Sequence, residues 1–502
     1  MEKLTSRQEN YSERYNQLVK QAWLAENSPV RWCMVIKPLG FAIWENMKSV
    51  LDLMFKKTWH SNAYFPLLIP KSFLSREAKH VDGFAKECAV VTHHRLKASA
   101  DGKSVEVDPD AKLDEELIIR PTSETIIWET YKNWIHSYRD LPLLINQRAN
   151  VVRREMRTRA FLRTTEFLRQ EGHTAHASKW EAQEESLKMH DVYNDFMTNF
   201  LAISPVLWEK SESEKFAGAE STYTLEAMMQ DNKALQIGTS HFLGQTFSKA
   251  FDVKFTNQDN KQDYVRSSSW WVSTRMMWGL IMSHSDDQGL ILPPAIAPVH
   301  ITFVPIFKTQ EDLDAIMKYI QTSIDTISQQ SLTIKSKYLW DYKIPVILKI
   351  DDDPNKWPGW KFNDIELQGC PLRVVVGKRD IESGTCEFWQ RDTKEKISIT
   401  IEELADKIVP TLETMQSRLL TNNIKRMEEH TYIADSRDEF KKKIKQGFVL
   451  AHRDGTEETE AKIKEETNAT IRCIPFDAKK ESGTCIYSGK KSSQRVLFAL
   501  AY

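Results

Sequence analysis

Residues 151–176 constrain the fold more than any other stretch, because they resemble two strands joined by an arginine-rich loop. An apolar segment leads to Arg153 and then Glu155, and residues two apart in a strand project from the same face. Arg163 follows in the loop, and a strand-like pattern resumes through Phe167. Guanidinium groups beside a carboxylate and an aromatic ring suit a nucleotide. The alternative for this segment alone is a solvated hairpin with surface ion pairs.

The bulk properties exclude several classes of protein. Lysine plus arginine total 69 against 70 for aspartate plus glutamate, so a nucleic acid must be met by local basic patches. The first ten residues have no apolar core, and no run of about 18 apolar residues occurs, so we expect neither a signal peptide nor a membrane span. The cysteines at 33, 88, 370, 386, 473 and 485 have neither disulfide nor zinc spacing. This usage predicts a cytoplasmic protein.

The pattern of the chain changes at the proline-rich connector 290–298. Beyond it, alternating strand and helix patterns predict a compact α/β domain. The last stretch is rich in lysine and glutamate and predicts a third, small domain. The expected domains are 1–295, 296–415 and 416–502.

Several unrelated motifs occur in a consistent order along the chain. They are Asn62–Pro70, Arg120-Pro-Thr122-Ser-Glu124, Arg153-x-Glu155 through Phe167, Gln236-x-x-Thr239-x-His241, Ser273-Thr274-Arg275, Pro358–Phe362 and Gly377–Asp380. Together they resemble class II aminoacyl-tRNA synthetases, with Asn62–Pro70 similar to motif 1, the arginine-rich segment to motif 2 and Ser273–Arg275 to motif 3. Within the class, the chain resembles prolyl-tRNA synthetases of the archaeal–eukaryotic-like type, and the likeness extends from about residue 5 to Tyr502.

The resemblance implies an α+β fold. A class II antiparallel sheet of about six or seven strands, flanked by helices, would be followed by an α/β anticodon-binding domain and a small α+β C-terminal domain. It also implies a ligase that uses ATP with Mg²⁺ to convert proline to prolyl-adenylate and then transfers the prolyl group to the 3′ end of proline tRNA. The implied partners are proline, ATP, proline tRNA and a second copy of the chain, bound through the motif 1 region.

Two arginines carry the catalytic roles in this resemblance. Arg153 would bind the α-phosphate and the proline carboxylate, and Arg275, at a helix start, would bind the terminal phosphate, where the helix dipole also favours anions. Phe167 would stack on adenine, with Glu155 near the polar edge of the base. Such a reaction depends on positioning and on charge cancellation at a pentavalent phosphorus.

The resemblance assigns further residues to three sites. The expected ATP-binding residues are Arg153, Glu155, Arg163, Thr164, Phe167, Gln236, Thr239, Ser273 and Arg275, with Gln236 near the Mg²⁺ bound to ATP. The expected proline-binding residues are Thr122, Glu124, Arg153, Phe216 and His241. The expected anticodon-binding residues are Trp360, Phe362, Glu366, Arg373 and Arg379. Each has a structural alternative: a buried histidine, a helix-capping glutamate, core aromatic rings, or a solvated basic rim.

The chain departs from the family at nine positions. Tryptophan stands at 32, 59, 271 and 278, where the resemblance implies glycine, and arginine stands at 148, 154, 169, 266 and 453, where it implies tryptophan. The 17 glycines are about half the usual share of roughly 7%. We expect Trp271 to intrude on the ATP or proline site and Arg154 to point inward. The hypotheses are a degraded or repurposed paralogue, or a sequence altered by substitution or by an unusual codon reading.

Two further expectations concern absent features. The segment 451–460 has no cysteine, and the pair Cys473 and Cys485 lacks zinc spacing, so we expect no structural zinc. The stretch between His176 and Tyr264 is too short for a large editing domain. The alternatives to an active ligase are a catalytically impaired synthetase-like protein that binds tRNA or regulates another process, an RNA-binding protein that uses residues 299–502, and a synthetase for another amino acid.

Overall fold

A computed structural model describes residues 3–76, 85–212, 214–475 and 480–502. Its largest element is an eleven-stranded sheet, of which seven strands belong to the first domain. In spatial order these are Val206–Glu209, Ser221–Met228, Ala234–Gly244, Arg266–Ser273, Glu166–His176, Leu143–Val152 and Ser61–Ala63. Their pairings are antiparallel except for the edge strand Ser61–Ala63, which is parallel to its neighbour. The predicted antiparallel sheet is therefore confirmed.

The helix Lys179–Asn199 packs on the central strands of this sheet. Its start is encoded locally, because the Ser178 hydroxyl accepts from the backbone of Glu181 while the Glu181 carboxylate accepts from the backbone of Ser178. Met189, Tyr193 and other apolar side chains of this helix join the largest apolar cluster. Burial of this helical face fixes the sheet against its helical layer.

The remaining elements of the first domain surround the sheet. The α-helices are Arg7–Gln21, Pro38–Lys57, Lys71–Ser75, Glu124–Trp134, Thr246–Ala250 and Arg275–His284. Short 3₁₀ turns occur at Ala85–Glu87, Pro109–Ala111, Tyr138–Asp140 and Pro294–Ile296. The small sheets use strands Ala25–Asn27, Met34–Ile36, Leu68–Pro70, Ala89–His93, Leu96–Ala98, Val105–Val107, Lys112–Ile119, Lys254–Thr256 and Gln262–Tyr264.

The second domain is α/β, as expected. Its five strands lie in the order Leu348–Ile350, Ile301–Ile306, Leu372–Gly377, Thr385–Gln390 and Lys396–Thr400, with the first three parallel and the last two antiparallel. A separate hairpin is formed by Ser331–Ser336 and Trp340–Pro345. The helices are Gln310–Ser328, Pro358–Gln368 and Lys378–Ser383.

The last domain shares the main sheet. Its strands Thr431–Ala434, Phe448–His452, Arg495–Ala499 and Thr470–Pro475 continue the sheet of the first domain, and Thr470–Pro475 pairs with Val206–Glu209. Its helices are Arg437–Lys443 and Glu457–Thr467, and Gly483–Thr484 pairs with Lys491–Ser492. The helix Ile401–Glu429 runs without a break across the expected boundary at 415/416. The residue ranges of the three expected domains stay predictions.

Among the described residues, none of the helices combines the length and the apolar character that crossing a membrane requires.

Candidate active site

Arg153 lies immediately beyond the strand Leu143–Val152. The expectation that Arg153 and Glu155 both belong to the strand was wrong, because the strand ends at Val152, although the Arg153 N–H still donates to the Thr165 carbonyl at 2.8 Å. The Arg153 Nε donates to the Pro121 carbonyl at 2.7 Å, which orients the guanidinium. Burial and the Arg169 charge lower the pKa of Arg153 to about 10, so it remains cationic at neutral pH.

Arg275 is the first residue of the helix Arg275–His284. Its backbone N–H donates to the Ser273 hydroxyl at 3.2 Å, and its Nη1 lies 3.5 Å from the Gln236 carbonyl. The Nε is buried and has no hydrogen-bond partner among the described residues. Burial and the nearby Arg163 guanidinium lower the pKa of Arg275 to about 10. A charged donor at a helix start is therefore poised for an anion.

These two arginines line one cavity of about 230 Å³. Seven of the nine predicted ATP-binding residues line it: Arg153, Glu155, Arg163, Thr164, Phe167, Ser273 and Arg275. Gln236 is linked to the cavity through its carbonyl contact with Arg275. Thr239 pairs with Trp271 in the sheet, and its buried hydroxyl oxygen has no hydrogen-bond partner among the described residues. A cavity lined by four arginines, among them Arg153, Arg163 and Arg275, and by the Phe167 ring suits a nucleotide phosphate and base.

Thr122 and Glu124 form the start of a second, buried group. The Thr122 hydroxyl donates a short hydrogen bond to the Glu124 carboxylate, and Arg169 Nη1 lies 3.5 Å from the same hydroxyl. Glu124 opens the helix Glu124–Trp134 and is buried. Negative charge near the start of a helix interacts favourably with the helix dipole. Glu124 is therefore an acidic group that could face an ammonium.

His241 borders the same group of residues. Its Nδ1 lies 3.0 Å from the Thr222 hydroxyl, and the Phe216 ring centroid is 4.7 Å from that of the imidazole. Burial lowers the pKa of His241 to about 3, against the opposing effect of Glu124. His241 is therefore neutral at physiological pH, and its buried Nε2 has no hydrogen-bond partner among the described residues. A neutral imidazole keeps the site's positive charge low where an ammonium would bind.

A buried polar network surrounds Glu171, and none of the sequence motifs indicated it. Its carboxylate accepts a short hydrogen bond from Ser123 and a 3.0 Å bond from Gln147 Nε2, and Arg169 Nε lies 3.5 Å away. Burial raises the pKa of Glu171, but Arg169 and His173 lower it more, so its pKa lies well below the ordinary value. Arg169, Glu171 and His173 alternate in one strand and share a face, a spacing that sequence reasoning could have found.

The predicted anticodon residues are only partly together. The Arg373 guanidinium lies between the Phe362 and Trp389 rings, 4.2 and 4.4 Å from their centroids, and 3.4 Å from the Glu366 carboxylate. Arg373 is buried, and burial lowers its pKa. Arg379 is exposed on the helix Lys378–Ser383. Trp360 is half-buried, with Lys356 Nζ 4.6 Å from its ring centroid.

The departures from the family affect the cavity directly. Trp271 lines it, and the Arg169 guanidinium stacks 4.7 Å from an indole centroid of Trp271. The expectation for Arg154 was wrong, because its side chain is exposed and lies 6.0 Å from the Trp32 ring centroid. The Arg154 backbone N–H donates to the Glu87 carbonyl after the strand has ended, and the exposed side chain lines the same cavity as Arg153. Trp278 is fully buried, 4.0 Å from the Tyr15 ring centroid.

The cavity and the sheet define a class of protein. A family model described as the tRNA synthetase class II core domain (G, H, P, S and T) matches residues 105–283, and the anticodon binding domain matches residues 328–411. The chain is therefore a class II aminoacyl-tRNA synthetase.

A third model, described as the C-terminal domain of prolyl-tRNA synthetase, matches residues 437–502. The chain is 57% identical over 501 residues to a proline–tRNA ligase of Cytophaga hutchinsonii, a match that covers 99% of each chain. It is 56% identical over 506 residues to a proline–tRNA ligase of Phocaeicola vulgatus, covering 100% of this chain and 99% of the relative. The chain belongs to the prolyl-tRNA synthetase family. Its archaeal–eukaryotic-like type stays a prediction.

Proposed function

We propose that this chain activates proline with ATP and transfers it to proline tRNA, and that both steps take place at the cavity between Arg153 and Arg275. The observation that carries this proposal is the convergence of two guanidinium groups, from distant parts of the chain, on one cavity. The buried Thr122–Glu124 pair does not line this cavity but is linked to it through Arg169, which contacts both Thr122 and the cavity-lining Trp271. Its full-length relatives are named for the same ligase activity.

In the first step, the proline carboxylate attacks the α-phosphate of ATP and pyrophosphate leaves. The positive charge of Arg153 offsets negative charge on the α-phosphate and the attacking carboxylate. The Pro121 carbonyl orients the guanidinium for this role. Arg275 holds the terminal phosphate at the start of its helix. These contacts act mainly by positioning the two reactants in line.

The nucleotide base and the metal use other residues. Phe167 stacks on adenine, Glu155 lies at its polar edge, and Arg163 and Thr164 border the sugar and phosphates. Mg²⁺ bound to ATP favours oxygen ligands and offsets phosphate charge. The buried Thr239 hydroxyl oxygen, which has no hydrogen-bond partner in the described part of the chain, and Gln236 of the same strand would supply oxygen ligands of that kind.

Proline binds through its secondary ammonium and its ring. Glu124 supplies the countercharge, Thr122 holds the Glu124 carboxylate, and Phe216 forms an apolar wall beside His241. Neutral His241 adds no competing positive charge. In the second step, a terminal ribose hydroxyl of tRNA attacks the prolyl-adenylate carbonyl and AMP leaves.

The proposal also covers the oligomeric state, the location and the metal content of the enzyme. The chain works as a homodimer joined through the motif 1 region at 62–70, in the cytoplasm, and needs no structural zinc. Among the described residues, no three histidine, cysteine or acidic side chains come together as metal ligands.

Proline-dependent ATP–pyrophosphate exchange tests the ligase. We expect exchange with proline and ATP before any tRNA is added, and much weaker exchange with alanine. Transfer of labelled proline to tRNA should follow in the same preparation. Binding of tRNA without exchange by any amino acid would contradict the proposal and favour a non-catalytic RNA-binding role.

The anticodon-binding part of the proposal rests first on Trp360, which is half-buried, and on Arg379, which is exposed. Replacing Trp360 with alanine should raise the KM for tRNA about tenfold, because stacking of one base on an aromatic ring contributes about 1–3 kcal/mol. Exchange without tRNA should not change. Lys318→Ala, at an exposed lysine on the helix Gln310–Ser328 of the same domain, is the control. An unchanged KM in the Trp360 variant would argue against this site.

A further inference from the structure

Four tryptophans have a backbone conformation that L-residues with large side chains rarely adopt. Their φ angles are 59° at Trp23, 66° at Trp32, 70° at Trp59 and 56° at Trp340. At these positive φ angles, in the left-handed region, the Cβ of an L-residue comes too close to the following carbonyl oxygen. Glycine has no Cβ and adopts the same angles without a clash. Four bulky side chains in that region, in one chain, require an explanation.

Two of them end helices in a motif that favours glycine. Trp23 follows the helix Arg7–Gln21 and its cap Ala22, and the backbone N–H of Trp23 donates to the Lys20 carbonyl while that of Leu24 donates to the Val19 carbonyl. This pair of bonds is the Schellman motif, whose left-handed residue is usually glycine.

Trp59 repeats this arrangement at the end of the helix Pro38–Lys57. Its N–H donates to the Lys56 carbonyl at 3.1 Å, and the His60 N–H donates to the Phe55 carbonyl at 3.0 Å. The two helix ends have the same geometry, and both have an indole at the position that favours glycine.

The other two occupy turns with the same requirement. Cys33 N–H donates to the Val30 carbonyl, so Trp32 is the third residue of a turn in which that residue has positive φ. Such turns favour glycine at this position. Trp340 pairs with Ser336 where a short hairpin loop ends, another place where a left-handed glycine is common.

Burial does not compensate for this strain. The exposed fraction is 86% for Trp59, 69% for Trp340 and 59% for Trp23. An exposed indole contributes little apolar burial that could offset a strained backbone. At these three positions the chain thus has glycine geometry, and apolar burial does little to favour tryptophan there.

Arginine fits its surroundings poorly at two of the positions where the resemblance implies tryptophan. Arg169 and Arg148 each have a buried Nε without a hydrogen-bond partner among the described residues. Arg169 also stacks on Trp271, so two large side chains fill the space that the family resemblance gives to glycine and tryptophan.

We propose that the natural protein carries glycine at positions 23, 32, 59 and 340, because the codon read here as tryptophan is decoded as glycine in the cell of origin. The same decoding places glycine at 271 and 278. A second codon, read here as arginine, is decoded as tryptophan at 148, 154, 169, 266 and 453. The assignments at 23, 32, 59 and 340 rest on backbone geometry. Those at 271 and 278 and that of the arginine codon rest on the family resemblance, with the buried Nε atoms of Arg148 and Arg169 in support. Neither depends on the proposed function.

Peptide mass spectrometry of the protein purified from its native cells tests the decoding directly. Peptides that span positions 23, 59 and 340 should have the mass of glycine at those positions, and the peptide that spans 169 should have the mass of tryptophan. In the gene, positions 23, 32, 59 and 340 should share one codon that differs from the codon of Trp128, which is buried in the helix Glu124–Trp134. Tryptophan in the native peptides would overturn the proposal.

Recombinant variants of the printed chain test the geometric premise. Trp59→Gly should raise the thermal unfolding midpoint above that of Trp59→Ala, because alanine removes the indole but retains the strained φ. Trp180, 70% exposed within the helix Lys179–Asn199, is the matched control, and there glycine should be worse than alanine. Equal midpoints for the glycine and alanine variants at 59 and 23 would overturn the premise.

Discussion

Replacing Arg153 with alanine is expected to lower the kcat of proline-dependent ATP–pyrophosphate exchange by about 10²- to 10³-fold, the usual effect of removing a preorganised charged donor from a transition state. The guanidinium is oriented by the Pro121 carbonyl and lines the cavity, and the proposed function assigns the α-phosphate to Arg153. The loss should appear mainly in kcat, because charge on the phosphorus develops as the carboxylate attacks.

Two variants make this prediction specific. Arg153→Lys keeps the charge but loses the planar fork and the Nε–H donor, so it should recover only part of the activity. Arg157→Ala removes an exposed arginine from the same loop and should leave exchange unchanged. If Arg153→Ala exchanged as fast as a parent chain with measurable exchange, Arg153 would be excluded from the reaction.

Replacing Trp271 with glycine is expected to raise exchange by about ten- to a hundredfold, because displaced reactants lose activity on that scale. The present cavity, about 230 Å³, is smaller than the roughly 300–1,000 Å³ of most ligand pockets, and the Trp271 indole forms part of its lining. Glycine in a strand often marks the close approach of the backbone to a ligand.

Arg169 determines how complete this recovery is. Without the indole, the Arg169 guanidinium loses its stacking partner while it remains beside the Thr122 hydroxyl and the Glu171 carboxylate. The double variant Trp271→Gly with Arg169→Trp should therefore exceed the single variant. Steady-state exchange at several ATP and proline concentrations would show which KM falls. Unchanged kinetics in both variants would mean that the indole does not obstruct either substrate.

The sequence predicted the class of fold and most of the cavity lining. Arg153, Phe167 and Arg275 were assigned from short motifs, and all three line one cavity. Such motifs predict well because a few neighbouring residues specify both the local backbone and the chemistry. The roles of these residues stay predictions until the variants are measured.

Several features could not be predicted from local patterns. Arg154 is exposed and lines the cavity because the strand ends at Val152, and the end of a strand depends on its partners in the sheet. The last domain shares the sheet of the first because Thr470–Pro475 pairs with Val206–Glu209, residues far apart in the chain. The Glu171 network depends on Ser123 and Gln147, which come from two other elements.

The sequence by itself determined the family, the order of the domains and the identity of the charged groups, because these depend on residue types at short, fixed spacings. The tertiary structure decided which of those groups meet, since contacts between distant residues depend on strand register and on how far each helix runs. It also showed that tryptophans 23, 32, 59 and 340 occupy left-handed backbone positions, because a backbone angle is set by the turn or helix end that the whole fold imposes.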